Sequence, residues 1–153
     1  MKKDPLKWQE LRQETYNGNL LFVTSSGDYL DYGFSHGAAG PPPIWRMQPV
    51  QNLTAGGHAG LHGYWIFFPN VNQCWQALNA NGPLRIWNEN GKANPPLPQD
   101  WELFQFDFVD DKAQQVRIKN VYGRYLRANG AVYVCDYNFG DPGVPVELFT
   151  VEF

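Results

Sequence analysis

The chain divides into one helix-like segment at its start and a long series of short apolar runs after it. Within residues 4–16, Asp4 can cap a helix and Pro5 can occupy its first position, so a short N-terminal helix is predicted. Its partial apolar face consists of Leu6, Trp8 and Leu11. The remaining chain alternates apolar runs with Gly, Pro, Asn and Asp, which is typical of short strands joined by turns. These runs are residues 20–23, 64–68, 84–87, 101–109, 115–118, 132–135 and 146–153.

The composition supports a folded, strand-rich domain. The 153 residues include 6 Trp, 8 Tyr and 10 Phe, and this aromatic content excludes a disordered chain. Each buried ring covers roughly 150–250 Å², so these side chains can supply a large core for one small domain. The 15 glycines and 12 prolines indicate many turns rather than a helical bundle.

Three segments share a spacing. In each, an apolar residue precedes the start of a second apolar run by seven positions, and the pairs are Phe22 and Tyr29, Phe67 and Cys74, and Ile118 and Tyr125. Successive second members are 45 and 51 residues apart. A Gly- and Pro-containing loop and a closing run follow in each segment, at residues 44–47, 101–104 and 146–149. A unit of this length cannot bury its apolar face alone, so the three copies are expected to share one core.

The third segment carries a family resemblance. Residues 114–136, QQVRIKNVYGRYLRANGAVYVCD, resemble a repeat of the fascin-like and ricin-type β-trefoil families. The resemblance covers about residues 18–153, although the Q-x-W signature of ricin-type lectins is absent from the closing runs. It implies an all-β fold, namely a β-trefoil of three repeats of about 45–50 residues preceded by the short helix. The expected organisation is a helical extension at 1–16 and one trefoil domain at 17–153, with repeats at about 18–60, 61–110 and 111–153.

Charge and motif content narrow the possible functions. The formal net charge is −3 and the Lys and Arg residues form no stripe, so no nucleic-acid partner is expected. No apolar run approaches the roughly 18 residues of a membrane span. His58 and His62 have an H-x₃-H spacing, but the surrounding glycines favour a loop over a metal-binding helix. No nucleophile or carboxylate pair stands out, so neither catalysis nor a cofactor is predicted.

The remaining candidates are polar and aromatic residues near the tip of each repeat. A protein binds a sugar when an aromatic ring packs on the C–H face of the sugar and Asp, Asn or His forms hydrogen bonds with its hydroxyls. The resemblance to trefoil lectins implies that binding sites lie in comparable loops. The prediction is therefore a carbohydrate-binding, lectin-like module that recognises glycans or glycoconjugates through several weak sites. The predicted site residues are Tyr32, His36, Trp87, Asn88, Asp136, Tyr137 and Asn138. The aromatics predicted to fill the core instead are Phe22, Tyr29, Trp65, Phe67, Trp75, Trp101, Phe104, Tyr125 and Phe149.

Protein interaction is the alternative, because one fold can host several functions. A protease inhibitor, a cytoskeletal binder or a targeting module of a toxin or larger assembly would use the long loops at residues 33–44, 50–63, 88–100 and 136–145. The N-terminus shows no secretory signal. The expected location is therefore the cytoplasm or release by another route, or secretion if a signal peptide is removed from a longer precursor.

Overall fold

A computed structural model describes the greater part of the chain. It covers residues 5–12, 18–30, 44–50, 63–68, 73–77, 84–87, 100–129, 132–137 and 147–153. Helix α1 is Pro5–Arg12, which confirms the predicted start at Pro5; Asp4 lies outside the described residues. A 3-10 helix follows later at Asp100–Glu102. In the described part of the chain, no helix reaches the length and hydropathy that a transmembrane span requires.

Ten strands make up the rest of the described secondary structure. They are β1 (Asn19–Val23), β2 (Trp45–Val50), β3 (Gly63–Phe67), β4 (Cys74–Ala77), β5 (Leu84–Trp87), β6 (Phe104–Asp110), β7 (Gln115–Asn120), β8 (Tyr125–Asn129), β9 (Val132–Tyr137) and β10 (Phe149–Glu152). Their apolar residues alternate with polar ones where one face is buried, as in β7, where Val116 and Ile118 point inward.

Six of these strands close into a barrel. Antiparallel pairing runs from β1 to β2, β3, β6, β7, β10 and back to β1. The closing contact joins the two ends of the chain, since Leu21 pairs with Glu152 and Val23 with Thr150. Strands β4 and β5 extend the sheet from β3, and β8 and β9 extend it from β7. Closure leaves the barrel strands without open sheet edges along their paired lengths.

The prediction of a β-trefoil built from three repeats is wrong, although the all-β class is confirmed. The described strands form a closed six-stranded barrel with two attached strand pairs and one short helix. In the first predicted repeat, the described residues that follow β1 contribute an isolated bridge between Val23 and Tyr29. The equal spacings mark where the chain turns, whereas pairing between distant strands decides the architecture. The boundary at residue 17 and the three repeat boundaries stay predictions.

Aromatic side chains fill the centre of the molecule. Trp75 is fully buried, and its ring centroid lies 5.2 Å from that of Phe22, 5.3 Å from Trp45 and 5.7 Å from Phe104. Tilted and edge-on ring pairs of this kind stabilise a core beyond the area that they bury. The predicted core positions Phe22, Trp75, Phe104, Tyr125 and Phe149 are buried, whereas Tyr29, Trp65 and Phe67 are half-buried.

Trp101 was expected in the core and is instead 36% exposed. The sequence predicted one strand over residues 101–109, but β6 begins only at Phe104 because residues 100–102 form the 3-10 helix. That turn directs Glu102 and Leu103 inward and leaves Trp101 at the surface, where its Nε1 donates to the Tyr122 hydroxyl at 3.2 Å.

Helix α1 packs directly on the barrel. Trp8 and Leu11 are buried in the same core cluster as the barrel residues. The Trp8 ring meets Phe108 of β6 edge-on at 5.4 Å, and the Tyr64 hydroxyl donates to the Leu11 carbonyl oxygen at 2.5 Å. These contacts hold a two-turn helix that would be marginal in isolation.

Candidate functional site

The predicted loop-tip residues fall only partly within the described structure. Trp87 is the last residue of β5 and is half-buried. Asp136 and Tyr137 end β9, of which the backbone alone is described. The other predicted site residues, Tyr32, His36, Asn88 and Asn138, lie outside the described residues, as do His58 and His62.

The two strands that carry the predicted site residues Trp87 and Tyr137 lie close together. Strands β5 and β9 are at opposite ends of the path of paired strands, yet Cα atoms of the two approach within 8 Å. Trp87 pairs with Cys74, and Tyr137 pairs with Tyr125. The backbone therefore brings the ends of the path together, while saccharide binding at Trp87 and at Tyr137 stays a prediction.

A pocket of about 250 Å³ lies where α1 meets the barrel. We call it the α1 pocket. Residues 105–108 of β6 form much of its lining, and Arg12 of α1, Tyr64 of β3 and Lys119 of β7 complete it together with Gly63. Aromatic and charged residues both line this space, which is the composition of a small-molecule site.

Asp107 is the centre of the polar groups at this pocket. Its Oδ1 lies 3.3 Å from the Lys119 Nζ, and its Oδ2 accepts a hydrogen bond from the Tyr125 hydroxyl. The Lys119 Nζ also lies 5.6 Å from the centroid of the Tyr125 ring. Burial, followed by the hydrogen bond and the negative charge of Asp107, raises the pKa of Tyr125 to about 12. We call these three residues the pocket cluster.

Arg12 brings a second charge pair to the pocket from the end of α1. Its guanidinium carbon lies 5.3 Å from the centroid of the Phe108 ring, a cation–π geometry. Its Nη1 lies 2.7 Å from Asp111 Oδ2, and both side chains are well exposed. The two cations that line the pocket, Arg12 and Lys119, are thus each paired with a carboxylate.

The hairpin from β6 to β7 explains why these side chains meet. Its turn follows Asp110, whose Oδ1 accepts hydrogen bonds from the backbone N–H of Lys112 at 2.9 Å and of Ala113 at 3.0 Å. In the resulting register Gln105 pairs with Lys119. Asp107, two residues further along β6, is diagonal to Lys119, within reach of a long side chain.

The sequence analysis missed this pocket, although part of it was visible. In FQFDF, alternating Phe and polar residues indicate that Gln105 and Asp107 share one face of a strand. The following VRIK run alternates in the same way, so a hairpin would place Arg117 and Lys119 beside them. The contribution of Arg12 had no such signal, because it depends on where a distant helix packs.

A second set of polar side chains is connected by hydrogen bonds next to the 3-10 helix. Arg85 Nε donates to Gln76 Oε1 at 2.6 Å, and Gln76 Nε2 donates to Glu102 Oε2 at 2.8 Å. Gln76 and Glu102 are both buried, whereas Arg85 is exposed. We call these residues the buried polar chain. Hydrogen bonding of this kind offsets the cost of placing a carboxylate inside the protein.

Metal ligation and thiol chemistry can both be checked among the described residues. Among them, no three His, Cys, Asp or Glu side chains stand close enough to hold a metal ion. Cys74 is fully buried, and that burial raises the pKa of its thiol to about 12. Because the thiolate is the nucleophilic form, this thiol is unreactive near neutral pH.

Comparison with known proteins identifies a solved structure with a similar fold. No protein-family model matches the chain, and no curated protein matches it. A solved structure described as SeviL bound to asialo-GM1 saccharide is similar, with a TM-score of 0.57. The alignment covers 88% of this chain and 96% of that one at 17% sequence identity. At this identity the likeness shows a common fold.

Proposed function

We propose that this protein binds carbohydrate and catalyses no reaction on it. The observation that carries the proposal is the likeness, over 88% of the chain, to a protein solved with the asialo-GM1 saccharide bound. The α1 pocket supports it, because aromatic rings, a carboxylate, an amide and an ammonium group lie together there. These are the groups that pack on a sugar ring and take its hydroxyls.

The proposal includes the loop-tip sites predicted from the sequence. Trp87 and Tyr137 are the candidates for stacking on a sugar ring. The other residues assigned to these sites are Tyr32, His36, Asn88, Asp136 and Asn138. Several weak sites on one chain would strengthen attachment to a surface that displays many glycans, since the second contact becomes intramolecular. The repeats differ at their tips, so the sites are expected to differ in strength.

A glycan array with the native protein tests this function. Binding to at least one glycan class is expected, and W87A and Y137A should each weaken it. W101A is the matched control, because Trp101 is an exposed tryptophan outside the proposed sites. Absence of binding to every glycan at high protein concentration contradicts the function. Binding that both substitutions leave unchanged contradicts the loop-tip assignment alone.

A further inference from the structure

We propose that the α1 pocket binds one neutral monosaccharide unit of a glycan, and that the N-terminal helix forms part of this site. The inference rests on the proposed function and assigns it a location that the loop-tip prediction does not include. The pocket is lined by α1, β3 and the β6–β7 hairpin, so three regions distant in sequence supply its walls.

The pocket cluster supplies matched hydrogen-bonding groups. A carboxylate offers about four acceptor positions and an ammonium group offers three donors. The Lys119 ammonium contacts Oδ1 of Asp107, and the Tyr125 hydroxyl donates a hydrogen bond to Oδ2. Acceptor positions on Asp107 and donors on Lys119 therefore exceed the contacts that these groups make with each other. Neighbouring hydroxyls of a sugar ring donate and accept at similar separations, so they suit this pair.

The charge balance at the pocket favours an uncharged ligand. Lys119 is compensated by Asp107 at 3.3 Å, and Arg12 by Asp111 at 2.7 Å. An acidic sugar would have to compete with these carboxylates for the cations. A neutral sugar can bind through hydroxyls while both ion pairs remain in place.

The apolar lining and the size of the pocket fit a single ring. Tyr64, Phe106 and Phe108 line it, and the Tyr64 and Phe106 rings lie 5.3 Å apart at 31°. A C–H face of a sugar can pack on such aromatic carbons while the polar groups form hydrogen bonds with the hydroxyls at the edge of the sugar ring. The volume of about 250 Å³ is below the roughly 300–1,000 Å³ of pockets for larger ligands. One monosaccharide unit is therefore the expected occupant.

Helix α1 gives this site a wall that the barrel alone does not have. Trp8 and Leu11 anchor the helix in the core, and Arg12 follows them at the rim of the pocket. The hydrogen bond from Tyr64 to the Leu11 carbonyl ties a pocket residue to the helix backbone. Packing of α1 and the shape of the pocket are thus coupled.

Saccharide binding by the full chain and by D107N and K119Q tests this inference. The probes are the asialo-GM1 saccharide and an array of neutral and acidic glycans. K112Q is the matched control, because Lys112 is an exposed lysine in the β6–β7 turn outside the pocket. D107N and K119Q should each weaken binding at least about tenfold, the equivalent of losing one good hydrogen bond to a charged group. K112Q should bind like the wild type.

The possible outcomes separate the two proposals. Wild-type binding to a neutral glycan that both pocket variants weaken and K112Q retains supports the site. If D107N and K119Q both retain binding, the assignment of the site to the α1 pocket is wrong, while carbohydrate binding itself stands. If the wild type binds only acidic glycans, the assignment of a neutral ligand is wrong. No glycan binding by the wild type refutes the proposed function, and the inference with it. If D107N fails to fold, K119Q decides between these results.

Discussion

The buried polar chain and the pocket cluster each centre on a carboxylate, but they differ in access to solvent. Glu102 is 2% exposed and accepts a hydrogen bond from the side-chain amide of Gln76. The side chain of Asp107, in contrast, is 33% exposed and borders the α1 pocket. A buried carboxylate that loses its partners is costly, while an accessible one can exchange a contact for a ligand. Similar groups therefore stabilise the fold in one place and are available for binding in the other.

The position of each carboxylate on its element produces the difference. Glu102 belongs to the 3-10 helix that packs against β4, so its side chain points into the protein. Asp107 lies in β6 between Phe106 and Phe108, and all three residues line the α1 pocket. Phe106 and Phe108 also pack against the core, whereas the Asp107 side chain remains partly exposed beside the pocket.

The largest effect is expected at the buried carboxylate. E102A leaves the Gln76 amide without this acceptor inside the protein, so the free energy of unfolding should fall by about 2–3 kcal/mol. Urea unfolding followed by tryptophan fluorescence measures this. D111N, which changes an exposed carboxylate, should stay within about 0.5 kcal/mol of the wild type. Equal losses in the two variants would contradict the contrast.

The same truncation at the pocket should cost less stability. D107A removes a partly exposed ion pair with Lys119 and the acceptor of the Tyr125 hydroxyl, so a loss of about 1 kcal/mol is expected. The urea midpoint of D107A should therefore lie between those of E102A and the wild type. A loss as large as that of E102A would show that Asp107 is a structural residue.

A further effect on stability appears only at alkaline pH. The pKa of Tyr125 is raised from 10.0 to about 12 in the folded protein, so the unfolded chain releases this proton first as the pH rises. The free energy of unfolding should then fall between about pH 10 and pH 12. Cys74 acts in the same direction from about pH 9, since its pKa is raised from 9.0 to about 12.

Y125F isolates the tyrosine contribution, because it removes the ionisable hydroxyl and keeps the ring. Urea unfolding at a series of pH values should show a shallower alkaline decline for Y125F than for the wild type, with the part from Cys74 remaining. Identical declines would mean that burial and the Asp107 contact do not raise the pKa of Tyr125 in the folded protein.

The sequence predicted local features better than distant pairings. The helix start at Pro5 and the all-β class followed from caps, turns and alternation, which depend on neighbouring residues. Barrel closure requires Leu21 to meet Glu152, and no local pattern specifies that contact. The outward placement of Trp101 depends on a three-residue helix within an apolar run that resembled one continuous strand.

The candidate site was predictable to a similar extent. Strand alternation places Asp107 near Lys119, because both belong to one hairpin. Arg12 and Tyr64 reach the same pocket through the packing of α1 and through the pairing of β3 with β6, which joins Tyr64 to Phe104 across 40 residues of chain. Such contacts depend on the assembled core, so the sequence could indicate polar and aromatic candidates without grouping these four residues.

The most direct test of the central claim is a calorimetric titration of the native protein with the asialo-GM1 saccharide and with glycans selected on the array. Carbohydrate binding through the accessible carboxylate predicts saturable binding of at least one neutral glycan, weakened at least about tenfold in D107N. Absence of saturable binding to any of them would contradict the function. Equal affinity of D107N and the wild type would contradict the role of the pocket.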